Sequence, residues 1–263
     1  MATPIEEIRS LYELRVRKEP AYPGSFLERG PHTVRLVEGD RAWLSWSDLG
    51  GLPSGEIDAI IEAEIARFRE LGCGEKFEWK LFGSDEPADL RERLVAHGFV
   101  PSDPADAVLV LDLADLPSDL RSTKGHDIRR LPGEEATYEA MRDILMAIWP
   151  EDADDTINFV RDSVAADPKA NSLWLAYVDG KPVAEGRIDF ACGEFAGIWG
   201  GATLPEYRNR GIYTALVAAR AAEAIERGCR FLTIDASPMS RAVLEKRGFR
   251  LLDTALECNW RAG

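Results

Sequence analysis

The spacing of apolar residues along the chain predicts alternating helices and strands. Apolar residues recur every three or four positions within residues 5–16 and again over 57–71, which indicates two amphipathic helices. Short apolar runs bounded by turn residues, AVLVLDL at 107–113 and RFLTIDA at 230–236, predict buried strands. The Asp-Gly pair at 179–180, between two apolar segments, predicts a hairpin. Helices flanking a mixed sheet give an α/β fold class.

Two segments of the sequence resemble each other. Residues 65–100 and 221–250 each contain, in order, a helix ending at Gly-Cys, a strand, a polar loop, a second helix and Gly-Phe. The shared order predicts an internal duplication, although helix–glycine–strand punctuation also recurs in any α/β protein. A polar, turn-rich stretch near residues 117–126 is the natural boundary. We therefore predict two domains, 1–120 and 121–263.

Composition narrows the class of protein. The 263 residues are 45% hydrophobic and 30% charged, as in globular proteins, and no apolar run approaches the roughly 20 residues that cross a bilayer. A net charge of −14 argues against nucleic-acid binding and is compatible with a cationic partner. The N-terminus lacks the apolar centre of a signal peptide, and four cysteines lie far apart, so we expect a reduced, cytoplasmic protein. No Cys/His spacing suggests a metal site.

The stretch PEYRNRGIYTAL at 205–216 places two arginines and a glycine directly before an apolar helical pattern. Cations are mildly unfavourable at a helix N-terminus, because the helix dipole is positive there. A bound anion would offset this cost, since unpaired N–H groups of the first turn converge and Gly211 permits close backbone approach. The alternative is a solvated basic turn. On the first interpretation, the stretch is a phosphate cradle.

This stretch, the helix after it and SPMSRAVLEKRGF at 237–249 together resemble the GNAT superfamily of acyl-CoA-dependent N-acyltransferases, over about residues 126–259. The family signature is Arg/Gln-x-x-Gly-x-Gly/Ala. The first half is similar to a degenerate copy, so the resemblance implies two tandem GNAT-like domains. Its corresponding loop, SDLGGLPSGEID at 47–58, has acidic residues and no arginine. We expect the first half to support the structure or shape the acceptor pocket, and only the second to bind acyl-CoA.

The resemblance also implies how the coenzyme is bound. Backbone amides of the cradle would bind the CoA pyrophosphate, and residues of the preceding strand would pair with the pantetheine arm. An amide N–H at Gly201 or Ala202 would polarise the thioester carbonyl. Ser237 falls where the family often has an Asn that contacts the cofactor arm. The predicted cofactor-binding residues are Gly201, Ala202, Thr203, Arg208, Asn209, Arg210, Gly211, Ile212, Tyr213, Thr214 and Ser237.

The sequence departs from the family pattern at two positions. The last Gly/Ala of the signature is Tyr213. Many members carry a Tyr on the last helix that protonates the leaving thiolate, and this position is Leu244, which cannot donate a proton. Ser237, Tyr213 or solvent would then serve as the acid.

A base for the acceptor amine has two candidate sources. Glu185 and Asp189 lie four apart on one predicted strand and would share a face, although outer-face polar residues commonly do so. The acidic residues within 151–155 lie in a region that borders the acceptor site in members of the family. They would either attract a cationic amine or cap a helix. We take Ser237 and Glu185 as the candidate catalytic residues.

Together these features predict an N-acyltransferase that moves an acyl group, acetyl by default, from acyl-CoA to a primary amine of a small molecule by direct attack. The alternative is a non-catalytic acyl-CoA-binding or regulatory module, which Leu244 favours. The expected cosubstrate is acetyl-CoA, without a metal. The expected partner is a small-molecule amine, either neutral or cationic. We expect neither nucleic acid nor a membrane as a partner. Both a monomer and a homodimer are compatible with the sequence.

Overall fold

The computed structural model describes residues 3–22, 24–39, 41–73 and 77–260. It confirms a mixed α/β fold in which the strands form one continuous sheet. The helices are α1 (Ile5–Tyr12), α2 (Ser54–Glu70), α3 (Leu90–Ala96), α4 (Glu135–Met146), α5 (Ala153–Ala166), α6 (Ile212–Glu226) and α7 (Pro238–Glu245). The strands are β1 (Phe26–Arg29), β2 (Thr33–Glu38), β3 (Arg41–Ser47), β4 (Phe77–Phe82), β5 (Phe99–Pro101), β6 (Asp106–Asp112), β7 (Asp127–Leu131), β8 (Asn171–Val178), β9 (Lys181–Cys192), β10 (Phe195–Thr203), β11 (Phe231–Ala236) and β12 (Arg250–Trp260).

The two halves of the chain exchange their last strands. The sheet order is β1-β2-β3-β4-β12-β6-β11-β10-β9-β8-β7, with β5 pairing beside β12. Strand β6, from the first half, pairs antiparallel with β11 of the second half. Strand β12, from the second half, pairs antiparallel with β4 of the first. The two exchanged strands pair with each other at the centre of the sheet, so each half completes the sheet of the other.

Strand directions repeat between the halves and support the duplication. Strands β3 and β4 are parallel and joined through α2, just as β10 and β11 are parallel and joined through α6. The preceding pairs, β2–β3 and β9–β10, are both antiparallel. The boundary at residues 120 and 121 stays a prediction. Because the last strands are exchanged, this boundary divides the chain into two halves but does not divide the sheet into two.

The central sheet is covered on both faces. Helix α6 packs on one face, where Val217 and Ala218 belong to the same core cluster as Ile188 and Ile198 of β9 and β10. Helix α1, which continues as π-helical turns over Glu13–Lys18, covers the opposite face. The amphipathic pattern of the first residues therefore serves to bury Ile8 and Tyr12 against β6, β10 and β11. No helix in the described ranges combines the length and apolar character needed to cross a membrane.

Strand exchange predicts that the halves cannot fold separately. A fragment of residues 121–260 would lose β6, whose Val108, Leu109 and Val110 are all 0% exposed, and would leave the edge of β11 unpaired. We expect fragments 1–120 and 121–263 to be unfolded or insoluble when expressed singly, and to co-purify as one complex when co-expressed. Circular dichroism and size-exclusion chromatography measure both outcomes. Two fragments that each fold alone would contradict the exchange.

Candidate functional site

Strands β10 and β11 pair only at their beginnings. Phe195–Gly197 lie beside Phe231–Thr233 in parallel register, and no later residues of the two strands pair. The strands diverge beyond this point and leave a gap in the sheet. An extended ligand can pair with backbone groups that such a gap leaves open.

A β-bulge lies in β10 just after the divergence. Gly201 and Ala202 together lie opposite the single residue Glu185 of β9. Gly200 and Gly201 have φ angles of 69° and 83°, in the left-handed region that favours glycine. A Cβ atom on Gly201 would lie 2.7 Å from Cε2 of Tyr213. Glycine is therefore required where the bulge meets α6.

Glu185 is buried beneath this bulge. Its carboxylate accepts the Ala202 N–H at 3.4 Å, and the residue is 2% exposed. Burial raises the pKa of Glu185, while Arg187 and the amides of Ala202 and Gly201 oppose the rise. The two amides predicted to polarise a thioester carbonyl thus face Glu185, so this geometry does not support that role for them. The role of Glu185 as a base stays a prediction.

Arg220, on α6, is completely buried behind the bulge. Its Nη1 donates to the carbonyl oxygens of Arg187 at 3.2 Å and Trp199 at 3.1 Å, and its Nε donates to Leu216 at 3.1 Å. The guanidinium lies where a side chain of Gly186 would be, because a Cβ there would come within 2.8 Å of Nη1. Arg220 therefore holds α6 against β9 and β10.

The predicted phosphate cradle forms the start of α6. The helix begins at Ile212, directly after Gly211 with φ of 83°, and Asn209 is also left-handed with φ of 60°. Within the described part of the chain, the six consecutive amide N–H groups of residues 209–214 donate to no acceptor; Ala215 makes the first helical bond, to the Gly211 carbonyl at 3.0 Å. Left-handed residues among right-handed ones turn successive N–H groups to one side, as in anion-binding nests. We call residues 209–214 the amide nest.

Arg208 precedes the amide nest, and Arg210 belongs to it. Arg208 Nε donates to the Thr203 carbonyl at 3.0 Å, and Arg210 Nη2 donates to the Glu206 carbonyl at 2.8 Å, so both side chains also brace the loop. Both arginines are exposed. Neither forms an ion pair with any carboxylate of the described ranges. Their charge therefore adds to that of the helix N-terminus.

A cavity of about 160 Å³ adjoins Gly211. The segment that joins the two halves supplies half of its lining, including Lys124 and His126. The start of α6 and the loop before it supply most of the remainder, and Arg247 follows α7. Arg247 in this wall is paired with Asp119 at 2.7 Å. The cavity extends the positive region beyond the amide nest. It is lined by Asp119, Ser122, Thr123, Lys124, His126, Arg210, Gly211, Thr214, Ala215 and Arg247.

Three buried polar atoms lie around Gly201 without a hydrogen-bond partner among the described residues. They are Thr203 Oγ1, Tyr213 Oη and Arg220 Nη2. Buried polar atoms are normally paired, so three in one place indicate a missing partner. They lie just beyond the point where β10 and β11 diverge.

The predicted acid positions lie on α7. Ser237 caps this helix, and its Oγ accepts the Ser240 N–H at 3.5 Å while the residue stays exposed. Leu244 is 1% exposed in the core cluster that contains Ile198 and Phe249. A core side chain therefore occupies the position of the family tyrosine. Ser237 as the acid, and as a contact to the cofactor arm, stays a prediction.

The acidic residues near the start of α5 pair within the chain. Asp154 accepts from Arg142 at 2.5 Å, and Asp155 lies 3.8 Å from Arg41. Asp152 precedes the helix but makes no side-chain capping bond. Pairing with arginines thus accounts for Asp154 and Asp155 without a ligand.

A smaller cavity, of about 40 Å³, lies on the α1 face of the sheet at the divergence of β10 and β11. It contains an ion pair between Lys80 of the first half and Asp235 of the second. Asp189 also lines it and accepts a hydrogen bond from the Trp199 indole N–H. Sequence reasoning singled out Asp189 but not Lys80 or Asp235. We call this space the α1 cavity.

Comparison with known proteins agrees with this geometry. Residues 135–249 match the sequence model of the acetyltransferase (GNAT) family. A GCN5-related N-acetyltransferase from Kribbella flavida is 18% identical with a TM-score of 0.65, and the match covers 100% of this chain and 97% of that chain. A functionally unknown conserved protein from Staphylococcus epidermidis is 13% identical with a TM-score of 0.68, covering 92% and 96%.

A third solved structure has the duplicated architecture. A tandem GNAT protein from the clavulanic acid biosynthesis pathway is 16% identical with a TM-score of 0.57, and the match covers 100% of this chain and 90% of that chain. At these identities the three structures establish a shared fold. No curated protein sequence matches this chain.

Proposed function

Because the second half of this chain belongs to the acetyltransferase (GNAT) family, we propose that the protein is an N-acyltransferase, which moves an acyl group from acyl-CoA to the primary amine of a small molecule. Acetyl-CoA is the proposed cosubstrate, and the cytoplasm is the proposed compartment. The observation that carries the proposal is the amide nest: six consecutive N–H groups at a helix N-terminus, without protein acceptors in the described chain. The side chains of Arg208 and Arg210 beside these groups donate only to backbone carbonyls there.

The nest suits a diphosphate for electrostatic reasons. Backbone N–H donors and the helix dipole bind anions without a charged side chain having to be ordered. Arg208 and Arg210 add formal charge beside the donors, and Lys124 in the adjoining cavity extends it toward a further phosphate. The chain has a net charge of −14, so a local excess of cations supports an anion site at this place.

The first half is proposed not to bind CoA. Its loop between β3 and α2 carries no arginine, and the carboxylate of Glu86 lies beside Gly50, only 2.5 Å from where a Cβ would be. A carboxylate at this place would repel a diphosphate. The amide of Leu52 donates to the Leu49 carbonyl and that of Glu56 to the Pro53 carbonyl, whereas the amides of residues 209–214 make no such bonds within the described chain.

Acyl transfer here would depend mainly on positioning. The gap between β10 and β11 lets a thioester bound on the α6 side meet an amine bound on the α1 side. Holding the two reactants in contact supplies a large part of the rate in such reactions. The acyl-CoA supplies the acyl group, and the chain's residues hold both reactants and manage the proton of the amine.

A second function has one specific observation in its favour. The position of the family's proton donor is Leu244, fully packed in the core. A module that binds acyl-CoA and regulates another process would need the amide nest but no acid. This candidate predicts binding without turnover.

An assay of thiol release from acetyl-CoA separates the two functions. We expect the protein to release CoA thiol in the presence of at least one member of a panel of small primary amines, and to do so saturably with acetyl-CoA. Mass spectrometry of the product should find the acetyl group on nitrogen. Saturable CoA binding with no turnover on any amine would contradict the enzyme and favour the regulatory module.

A further inference from the structure

The α1 cavity is built from both halves of the chain and lies at the gap in the sheet. Its walls come from the N-terminal segment, from β4 and from β9–β11. It opens on the face opposite α6, whereas the amide nest and the unpaired polar atoms lie on the α6 side. The residues that line it with polar groups are Tyr12, Tyr22, Lys80, Asp189, Trp199 and Asp235.

Tyr12 is one of the residues that line the α1 cavity. Its ring packs edge-on against Phe82 and Phe195, with centroids 6.3 and 5.8 Å apart, and the residue is 7% exposed. Its hydroxyl makes no hydrogen bond to any residue in the described ranges. Burial raises the pKa of Tyr12, as does Asp235, while Lys80 opposes the rise. A protonated phenol that lines a cavity can donate or accept a hydrogen bond with a ligand that carries a polar group.

The charges around the α1 cavity leave one carboxylate available. Lys80 and Asp235 neutralise each other in their ion pair. Asp189 forms no ion pair with any described residue. Its carboxylate accepts the Trp199 indole N–H and lies where a side chain on Gly197 would be, with Oδ2 2.6 Å from that Cβ position. Gly197 is the last residue of β10 that pairs with β11. The carboxylate therefore lies at the point where the two strands begin to diverge.

We propose that the α1 cavity binds the acceptor amine, with the Tyr12 hydroxyl accepting a hydrogen bond from the nitrogen and Asp189 taking its proton. This assignment rests on the proposed acyl transfer and names the two residues that serve it on the acceptor side. Tyr12 belongs to the first half, so the site of the second half is incomplete without it.

The proton transfers balance. The amine enters as an ammonium, and Asp189 accepts one proton from it, which frees the nitrogen lone pair. That pair forms the C–N bond to the thioester carbonyl carbon while the C–S bond breaks and its electrons leave with sulfur. The nitrogen then loses a second proton, which the thiolate receives through solvent, and Asp189 releases its own proton to water. The net products are an amide, a thiol and one proton.

The ionisation of Asp189 gives the binding a pH dependence. Burial raises the pKa of Asp189 to about 6, while the Trp199 hydrogen bond and Arg187 oppose the rise. A carboxylate with a raised pKa is charged above that value, so amine binding should be full above it and be lost as the pH falls through about 6. The titratable and charged groups that face Asp189 or line the same cavity are Tyr12, Tyr22, Lys80, Arg187, Cys192, Cys229 and Asp235.

The Trp199 indole N–H gives a direct readout of this site in the intact protein. In a ¹H–¹⁵N spectrum, with the signal assigned by Trp199→Phe, we expect the indole resonance to titrate with a midpoint near pH 6. At pH 7.5, n-butylamine should shift it saturably. Asp189→Asn should remove the pH titration and weaken n-butylamine binding at least tenfold, and Tyr12→Phe should weaken it at least fivefold.

Asp143→Asn on α4 and Tyr177→Phe on β8 make the same chemical changes at residues that do not line the α1 cavity, so they serve as matched controls. Both variants should bind n-butylamine as the wild type does. The inference is overturned if the indole signal does not respond to n-butylamine. It is also overturned if Tyr12→Phe and Asp189→Asn bind n-butylamine as tightly as the wild type does. If Asp189→Asn does not fold, Tyr12→Phe still decides. The measurement needs no coenzyme, so failure of CoA binding in a separate titration would count against the proposed function alone.

Discussion

Substituting aspartate for Gly211, together with Arg208→Ala, should weaken CoA binding by at least about 100-fold while the fold survives. Gly211 lies directly before the first residue of α6. Its φ of 83° is one that other residues adopt only with strain. The new carboxylate would lie among the N–H groups that the diphosphate needs and would repel it, at a cost of several kcal/mol. Arg208→Ala removes the adjacent charge. Isothermal titration calorimetry with CoA measures the loss.

Gly228→Asp is the matched control for this experiment. Gly228 lies just beyond the other end of α6, with φ of 80° and no atom within 4 Å of its Cβ position. The same side chain is thus added in nearly the same backbone conformation, far from the amide nest. We expect CoA affinity within about twofold of the wild type in this variant. A folded Arg208→Ala/Gly211→Asp protein with unchanged affinity would exclude the nest as the diphosphate site.

Arg220→Ala should destabilise the fold by about 3–5 kcal/mol, because it removes a large buried side chain together with its hydrogen bonds to backbone carbonyls. The substitution leaves the carbonyls of Arg187 and Trp199 without their side-chain donor and opens a cavity between α6 and β9. Chemical denaturation measures the loss. Arg220→Met, which keeps most of the volume, should recover only the part of the loss that is due to the cavity.

Arg241→Ala provides the comparison for Arg220. Arg241 lies on the exposed side of α7 and pairs with Glu245 one turn away at 2.8 Å. Exposed pairs of this kind contribute about 0.5 kcal/mol or less, so this variant should unfold almost as the wild type does. If Arg220→Ala and Arg241→Ala proved equally mild, Arg220 would not hold α6 to the sheet.

Much of the fold follows from local patterns. The Asp179-Gly180 hairpin, the strands β6, β11 and β12, and the start of α6 next to Gly211 are each specified by residues within a few positions of one another. Turn chemistry and apolar periodicity are local properties, so one sequence is enough to predict such elements. The GNAT resemblance rests on the same short range, a loop and the helix after it.

Strand exchange could not be predicted in this way. Whether β12 pairs with β4 or with β11 depends on packing between segments more than 170 residues apart in the case of β4 and β12. Both alternatives bury the same alternating side chains, so the hydrophobic pattern does not distinguish them. The internal repeat predicts two similar sheets, but it does not indicate which of them contains β6 and which contains β12.

The buried polar residues of the site were also largely beyond sequence reasoning. Arg220 has one signal in the sequence, a lone arginine between alanines in an apolar helical stretch, but arginines are mostly exposed in folded proteins. Lys80 and Tyr12 lie in the first half, and only the exchanged sheet brings them to the divergence of β10 and β11. Glu185 and Asp189 share a face of β9, as predicted, with Arg187 between them. The sequence does not indicate their different partners, the Ala202 amide for Glu185 and the Trp199 indole for Asp189.

The central claim is that the amides of residues 209–214 bind the diphosphate of coenzyme A. The most direct test is a titration of CoA followed by the backbone ¹H–¹⁵N resonances of the deuterated protein. We predict saturable downfield shifts at Asn209–Thr214, as free N–H groups gain a charged acceptor, and no comparable shifts over residues 47–58 of the first half. Amides at 209–214 that stay unchanged at saturating CoA, or shifts confined to 47–58, would contradict the claim.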